Sequence, residues 1–375
     1  MNKFCLILSA SLVIGWNTPP VWAASIQESI QVIRSVGPEG MGNSAASTAW
    51  QALSQSEIKS LPALLAGMDG ANDLALNWLR AAVDATVDRA AAKGEKLPVS
   101  ALESFVNDRS HNPRARRLAY DLIASANPKT AEQLMAKMLD DPSAELRRDS
   151  VQRLVDEADA SRKAAQTNAA ISQYEAALKP ARDIDQITAI AKALGELNKP
   201  VDLRTTFGWV NSWNVIGPFD NKAIAGYDRV YPPEEKLDLN AEYDGKLGKV
   251  RWKEITSTNA DGKVDLNEPL GNLKEVTGYA WTEFYSDKAR PVELRLACKN
   301  GWKVWLNGKL LFGRNEYHLN TQIDHFKLAG DLKSGKNTIL VKLCQNGEVQ
   351  NWTKQWEFQM RVTDAIGTPI FSAKK

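Results

Sequence analysis

The sequence is poor in the residues that build disulfide frameworks and metal centres. It contains three cysteines and three histidines in 375 residues. Cys5 falls in the N-terminal apolar segment, and the remaining pair, Cys298 and Cys344, is too small for a disulfide framework. With Arg295 and Lys342 facing water, strand alternation turns Cys298 toward the core. The same alternation turns Cys344 outward, so we expect two unpaired thiols.

An excess of one charge and a long apolar run are also absent. Lys and Arg number 47 against 45 Asp and Glu, and neither half is strongly basic, so we expect no nucleic-acid partner. The apolar stretch Phe4–Trp16 is shorter than the roughly 20 residues that span a bilayer, so we expect no membrane span. Lys3 before it and Val21-Trp22-Ala23 after it are typical of a signal peptide cleaved near Ala23. We therefore expect a secreted or periplasmic protein.

Composition changes near residue 200, after Asn198-Lys199-Pro200. The chain before it is rich in Ala, Leu, Arg and acidic residues at helical spacing, whereas eight of the ten Trp beyond the leader lie at or after Trp209. The fold class predicted is a multidomain α plus β protein, with an α-helical repeat domain followed by an antiparallel β-sandwich or jelly roll. The predicted domains are a signal peptide over 1–23, the helical domain over 24–200 and the β-sandwich over 201–375.

A weak repeat marks the helical half. Ala115-Arg116-Arg117-Leu118-Ala119 and Leu146-Arg147-Arg148-Asp149-Ser150 each follow an Asn-Pro or Asp-Pro corner, 31 residues apart. This pattern resembles degenerate HEAT repeats over roughly residues 57–160 and implies stacked helix pairs. An irregular helical bundle is the alternative. Acidic residues are interleaved with these arginines, so we expect a mixed, solvated face.

From Phe207 onward, apolar and polar residues alternate in short runs. Asn307-Gly308 between two apolar runs predicts a two-residue hairpin with a type I′ turn. Further alternating runs lie at Tyr279–Tyr285, Val292–Cys298 and Thr338–Leu343. Many short antiparallel strands separated by turns indicate a sandwich or jelly roll.

The order of these strand motifs carries a family resemblance. Tyr279-Ala280-Trp281-Thr282, Val304-Trp305-Leu306-Asn307-Gly308-Lys309 and Ser334-Gly335-Lys336-Asn337 occur in an order that resembles the sugar-binding jelly roll of glycoside hydrolase family 2 and galactose-binding-like domains generally. The segments Trp213–Phe219 and Trp356–Arg361 are similar to those of a class of secreted bacterial proteins. The resemblance covers about residues 207–370 and implies a non-catalytic β-sandwich.

Aromatic residues among polar groups are the candidates for a carbohydrate site, because a flat ring matches the C–H face of a sugar. The predicted ligand-binding residues lie around the loop after the second hairpin strand and at two tryptophans: Trp302, Arg314, Asn315, Glu316, Tyr317 and Trp352. For each aromatic, a place in the core is the alternative.

A calcium loop and a catalytic centre have weaker signals. Ser257–Glu268 follows the calcium-loop template at several positions, so a structural calcium could bind Asn259, Asp261, Asp265 and Glu268, with a plain turn as the alternative. No other cofactor is expected. His318 and His325 form only a weak metal pattern, and no nucleophile elbow or phosphate loop is present.

The sequence thus predicts a secreted protein that is not an enzyme. Its β-sandwich is expected to bind a glycan or an extracellular or envelope protein. Two alternatives stay open: a protein scaffold that works through its helical repeats, and a hydrolase with an unrecognised site.

Overall fold

The computed structural model describes residues 25–320 and 322–373, so the predicted signal peptide lies outside the described residues. A helical first half is followed by antiparallel sheets, which confirms the predicted α plus β class. The helices are α1 Ile26–Arg34, α2 Asn43–Leu53, α3 Leu61–Ala66, α4 Asp73–Ala92, α5 Val99–Asn107, α6 Pro113–Ala126, α7 Pro128–Met135, α8 Ala144–Lys163, α9 Thr167–Leu178, α10 Ile184–Glu196, α11 Leu203–Phe207, α12 Pro232–Glu235 and α13 Asn267–Leu270. Across the described part of the chain, none of these helices is long and apolar enough to cross a membrane.

Helix starts follow the capping residues that the sequence offers. The Asn72 side chain accepts a hydrogen bond from the Ala75 amide at 2.9 Å at the start of α4. At α6, Asn112 accepts from the Arg114 amide at 2.9 Å, and Pro113 occupies the first turn, where no amide hydrogen is needed. The Asn-Pro corner noted in the sequence thus marks the start of α6.

The repeated arginines are not all solvated. Arg116 is fully buried, and its Nε and Nη2 donate to the Val106 carbonyl at 2.8 and 2.7 Å, beside the end of α5. Arg147 is also buried and donates to the Asp141 carbonyl at 2.9 Å. The expectation of a solvated face is therefore wrong for these two positions, because each guanidinium satisfies a carbonyl outside its own helix. Arg148 keeps to the predicted surface and pairs with Asp185.

The chain forms two compact units, one ending at Leu134 and the other beginning at Met135. In the second unit, α8, α9 and α10 share a hydrophobic core with Phe207 and Trp209. Arg147 donates to the Ile366 carbonyl at 3.1 Å, and Arg182 donates to the Thr368 hydroxyl at 3.1 Å. This unit therefore contains three helices together with the strands. Its boundary, at residue 135, differs from the predicted domain boundary at residue 200, which follows the change in composition.

The strands are β1 Ser212–Asp220, β2 Glu242–Gly245, β3 Gly248–Arg251, β4 Lys253–Thr256, β5 Val264–Asp265, β6 Val276–Ser286, β7 Arg290–Cys298, β8 Trp302–Leu306, β9 Lys309–Arg314, β10 Phe326–Leu332, β11 Gly335–Gln345 and β12 Glu357–Thr363. A six-stranded sheet has the order β4-β1-β6-β11-β8-β9, and a four-stranded sheet has the order β10-β7-β12-β5. Apolar residues from both sheets form one core. The predicted hairpin is confirmed: Asn307 and Gly308 join β8 to β9, with φ of 54° and 79°.

Part of the outer face of each sheet is also covered. Residues 221–252 contribute Tyr231, Leu239 and Val250 to a cluster with Tyr279 on the outer face of the six-stranded sheet. On the four-stranded sheet, Trp209 bridges to Arg361. At these positions the residues that alternate away from the core therefore meet protein, whereas Lys327 and Ala329 on β10 remain exposed.

Cys298 and Cys344, the two cysteines among the described residues, are free and buried. Cys298 lies in the core between the sheets, as predicted, and Cys344 lies on the opposite face of its own sheet beside Thr277. Cys344 is fully buried there, so the expectation that it meets water is wrong. Burial raises the pKa of Cys298 to about 12 and that of Cys344 to about 11, so neither thiol is a reactive thiolate at neutral pH.

Candidate functional site

The loop between β11 and β12, residues 346–356, presents a tryptophan to solvent. Trp352 is 62% exposed, while its neighbour Thr353 is fully buried. The Thr353 hydroxyl lies 2.7 Å from the Glu348 carbonyl and 2.9 Å from the Gln350 carbonyl, so its single hydrogen has an acceptor within the loop. The exposed ring therefore stands on a loop whose backbone is fixed from below.

Buried amide side chains fasten this loop to the sheets. Gln345 donates to the Thr353 carbonyl at 3.0 Å, and Asn300 donates to the Gln355 carbonyl at 2.9 Å. Asn300 also donates to Gln345 Oε1 at 3.2 Å. Both amides are almost completely buried, so breaking these bonds would leave polar groups without partners. The loop is therefore preorganised.

The His318 ring is nearly perpendicular to the Trp352 ring, with 5.1 Å between the ring centroids and an interplanar angle of 85°. Its Nε2 is 2.9 Å from Asn346 Oδ1, which also accepts from the Glu348 amide at 3.2 Å. An amide oxygen only accepts, so Nε2 is the donor of this hydrogen bond, and in the tautomer that carries its hydrogen on Nε2 the other nitrogen, Nδ1, is an acceptor. The flat apolar indole of Trp352 and the polar imidazole of His318 therefore lie next to each other.

Backbone strain collects around the same loops. Nine non-glycine residues of the described chain have positive φ, and four of them belong here: Ala223, Ile224, Glu275 and His318. The Glu275 amide donates to the Asn346 carbonyl at 3.0 Å, and the Ala223 amide donates to Glu275 Oε1 at 3.2 Å. Left-handed backbone is costly for such residues and persists where neighbours fix it, most often at functional sites. We call Trp352, His318, Asn346, Glu275 and Tyr317 the Trp352 site.

Tyr317, one of the predicted ligand residues, is a half-buried member of this site. Its hydroxyl accepts from Asn221 Nδ2 at 3.3 Å, and burial raises the pKa of its phenol. Gly301 faces it closely: a Cβ at Gly301 would lie 3.0 Å from the Tyr317 hydroxyl. The Tyr317 ring therefore borders the site, and its hydroxyl points toward Asn221 and Gly301.

The structure does not bring the other predicted ligand residues to this site as one group. Arg314 and Glu316 form an exposed ion pair of 2.6 Å, and the Arg314 guanidinium lies 5.6 Å from the Phe326 ring. Asn315 is exposed, with its Oδ1 close to Gly301. These three residues continue from β9, at the border of the Trp352 site.

Trp302 has a different role from the one predicted. Its side chain is fully buried between the sheets, with ring centroids 4.8 Å from Phe326 and 6.1 Å from Phe312. A ring closed off from solvent cannot stack on a ligand that arrives from solvent. The prediction of a ligand-binding Trp302 is corrected to that of a core residue, because alternation along β8 points it inward with Val304.

The predicted calcium segment forms a turn beside a cavity of about 490 Å³. Asn259, Asp265 and Glu268 line this cavity, whereas Asp261 is exposed beside it. Asn259 accepts from the Asp261 amide at 2.8 Å, and Asp265 accepts from the Asn267 amide at 2.8 Å. In the described residues no three Asp, Glu, His or Cys side chains converge as a metal site, so calcium here stays a prediction.

Asn346 of the Trp352 site and the residues that hold its loop in place carry no sequence signal of their own. Asn346, Thr353, Asn300 and Gln345 are ordinary amide and hydroxyl residues whose role depends on how two loops meet. The weak metal pattern pairs His318 with His325, but His325 stacks on Phe326 instead. The residues that meet here are about 30 to 50 positions apart in the sequence, so a local motif could not indicate the site.

Comparisons with known proteins give little beyond this geometry. No protein-family model matches the chain, and no curated protein matches it. Among solved structures it is similar to the PA14 domain of the antifreeze protein MpAFP, at 12% identity and a TM-score of 0.21, over 26% of this chain and 47% of that one. It is also similar to a β-glucosidase from Kluyveromyces marxianus, at 11% identity and a TM-score of 0.25, over 40% of this chain and 16% of that one. For the GH31 α-xylosidase from Xanthomonas citri the identity is 9% and the TM-score 0.17, over 42% of this chain and 16% of that one.

The chain thus spans less than half the length of each of these three proteins. TM-scores this low carry no argument about fold or function. The function of this chain is therefore inferred from the geometry of the Trp352 site alone.

Proposed function

We propose that this chain is a non-catalytic protein that binds carbohydrate through the Trp352 site. The observation that carries the proposal is an exposed tryptophan on a loop held by buried hydrogen bonds, with the His318 ring perpendicular to it and 5.1 Å between the ring centroids. An indole ring offers a flat apolar face to the C–H face of a sugar ring. A loop that is already ordered loses little conformational entropy when it binds.

The polar surroundings suit a ligand rich in hydroxyl groups. His318 Nδ1 can accept a hydrogen bond, and the exposed Glu348, Gln350 and Asn351 offer further acceptors and donors. Lys274 donates to the Thr353 carbonyl at 2.7 Å, which places an ammonium group under the same loop. Such a mixture of an apolar platform and a few directed polar groups is typical of small-molecule sites.

Replacing Trp352 by alanine is expected to weaken carbohydrate binding about 30-fold, since a central aromatic contact is worth about 2 kcal/mol. The measurement is a glycan array with plant, algal and bacterial-envelope polysaccharides, followed by calorimetry on the full mature chain. Trp352→Phe should keep part of the affinity, because the flat apolar face remains. Phe312→Ala, which removes another exposed aromatic side chain, is the matched control and should leave affinity unchanged.

Two results would contradict the proposal. One is the absence of binding across the whole array by a folded wild-type chain. The other is a bound glycan whose affinity does not change in Trp352→Ala, which would move the site elsewhere.

A protein scaffold is the second candidate, and one observation favours it. The first unit has an apolar cavity of about 590 Å³ that Leu74, Trp78 and Pro38 line, and Leu74 is 45% exposed. Exposed apolar surface of this kind suits a protein partner. A photo-crosslinker at position 74 that captures an envelope protein, with none captured from position 352, would favour this scaffold.

We also propose that the chain is exported and that the helical half consists of degenerate HEAT-like repeats. Lys3 and the Val21-Trp22-Ala23 segment support export. The expected mature protein begins at Ala24, and N-terminal sequencing of the protein recovered outside the cytoplasm checks it. A mature chain that still begins at Met1 would contradict this part of the proposal.

A further inference from the structure

Each sheet of the sandwich ends in an edge strand, and two of these edges lie on the same side. β9 is the last strand of the six-stranded sheet, and β10 is the last strand of the four-stranded sheet. A groove of about 440 Å³ lies between them, lined by Leu311, Phe312, His325, Phe326, Lys327, Leu328 and Ala329. The sandwich is therefore open along this side.

The β9 edge is apolar and accessible. Leu310 is 47% exposed and Phe312 is 52% exposed. Among the described residues, the backbone of β9 pairs with β8 alone, with a register shift between the Val304–Phe312 and Trp305–Leu310 pairs, so its other side keeps unpaired donors and acceptors on both sides of this irregularity. Natural edge strands are usually blunted by charge, proline or a covering segment, because such a row is a template for another strand.

The unpaired backbone amides and carbonyls of β9 determine which kind of partner can bind at this edge. A partner that satisfies them is an extended backbone, and every second side chain of that partner then points into the groove. The groove floor is Phe326, with the His325 ring stacked on it at 4.4 Å. Apolar side chains at alternate positions of the partner would fill it.

Charge selects among extended partners. The strand begins with Lys309 and ends with Arg314. A second copy of this chain, paired antiparallel and centred on β9, would place Lys309 opposite Arg314 at both ends, and like charges directly opposite are destabilising. An acidic residue near either end of the partner would instead meet a cation, and Lys309 has no ion pair within the described residues.

We propose that β9 receives an extended acidic segment of another protein, which adds a strand to the six-stranded sheet and places its alternate apolar side chains in the groove. This is an interaction surface separate from the Trp352 site. It is formed by the edge strand β9 and the groove beside β10, whereas the Trp352 site is centred on the loop of residues 346–356.

The test uses the full mature chain and fluorescent seven-residue peptides of alternating valine and threonine. One peptide has a glutamate at each end, and another has a lysine at each end. The glutamate peptide is expected to bind at least tenfold more tightly. Two further glutamate peptides carry N-methyl groups on alternate amides, one set on each backbone edge; only one of the two should lose binding, because only one edge pairs with β9.

Variants of the protein locate the contact. Lys309→Glu should abolish the preference for the glutamate peptide, because one end of β9 then carries an anion while Arg314 keeps the other end cationic. Lys192→Glu on the exposed face of α10 is the charge-matched control and should leave the preference unchanged. Phe312→Ala should weaken both peptides at least fivefold, while Trp352→Ala should leave them unchanged, so this proposal and carbohydrate binding fail separately. The proposal is overturned if no peptide binds, or if Lys309→Glu and Phe312→Ala have no effect. Self-association in sedimentation that Phe312→Ala abolishes would also overturn it, by assigning the edge to a second copy.

Discussion

Replacement of Asp324 by asparagine is expected to lower the free energy of unfolding by about 3–5 kcal/mol at neutral pH, the cost of removing one partner from a buried ion pair. Asp324 Oδ1 accepts from Arg361 Nε at 2.8 Å, and Oδ2 accepts from Arg295 Nη1 at 2.8 Å and from Arg361 Nη2. The side chains of Arg361, Asp324 and Arg295 are 0%, 5% and 7% exposed. Asparagine fits the left-handed backbone of Asp324, so the loss of charge is isolated.

Chemical denaturation of the wild type and the variant measures this difference. Asp185→Asn is the matched control, because Asp185 pairs with Arg148 at 2.5 Å on the surface and should cost less than about 1 kcal/mol. Equal destabilisation by the two substitutions would show that burial of the Asp324 cluster adds nothing.

Acid should reveal the same cluster. Burial alone would raise the pKa of Asp324, but the hydrogen bonds and charges of Arg361 and Arg295 outweigh burial and lower it. A carboxyl group with a lowered folded-state pKa contributes stability above its unfolded pKa of about 3.9, and this stability is lost as pH falls through the folded pKa. The stability of Asp324→Asn should therefore depend less on pH below about 5. Parallel pH curves for the two proteins would contradict this assignment.

These charges mark the limit of what alternation along a strand can predict. The pattern correctly separates the two faces of β7 and β11, since Leu294 and Val341 point into the core while Arg295 and Lys342 point away. It assigned water to the second pair, but both side chains are buried. Periodicity within a strand says which residues share a face and carries no information on what covers that face.

Local signals predicted well what local chemistry determines. Asn-Gly produced the hairpin after β8, and Asn-Pro produced the start of α6, because turn and cap preferences depend on adjacent residues. The Trp352 site is different. Trp352 was a candidate from its ring alone, yet its partner His318 comes from another loop, and only tertiary packing brings the two together.

The second strong prediction concerns Lys342, a buried lysine on the six-stranded sheet. Lys342→Ala should lower the free energy of unfolding by about 3–5 kcal/mol. Lys342 is fully buried, and its Nζ donates to Glu234 Oε1 at 2.8 Å and to the Arg229 carbonyl at 2.7 Å. The Tyr279 hydroxyl donates to the same Glu234 oxygen. Without Lys342, the Glu234 carboxylate would keep only a neutral donor in a side chain that is 9% exposed.

The double variant Lys342→Met with Glu234→Gln separates charge from packing. Burial lowers the pKa of Lys342 against the opposing hydrogen bond and charge of Glu234. Replacing a buried ion pair by uncharged residues of similar volume is often neutral for stability. Methionine keeps the volume of the lysine stem, and glutamine keeps an acceptor for Tyr279. We therefore expect the free energy of unfolding of the double variant, measured with denaturant, to lie within about 1 kcal/mol of the wild-type value. It should be much higher than that of Lys342→Ala. If the double variant is as unstable as Lys342→Ala, the cluster stabilises the fold through the ion pair itself, and the expectation of a neutral replacement is wrong.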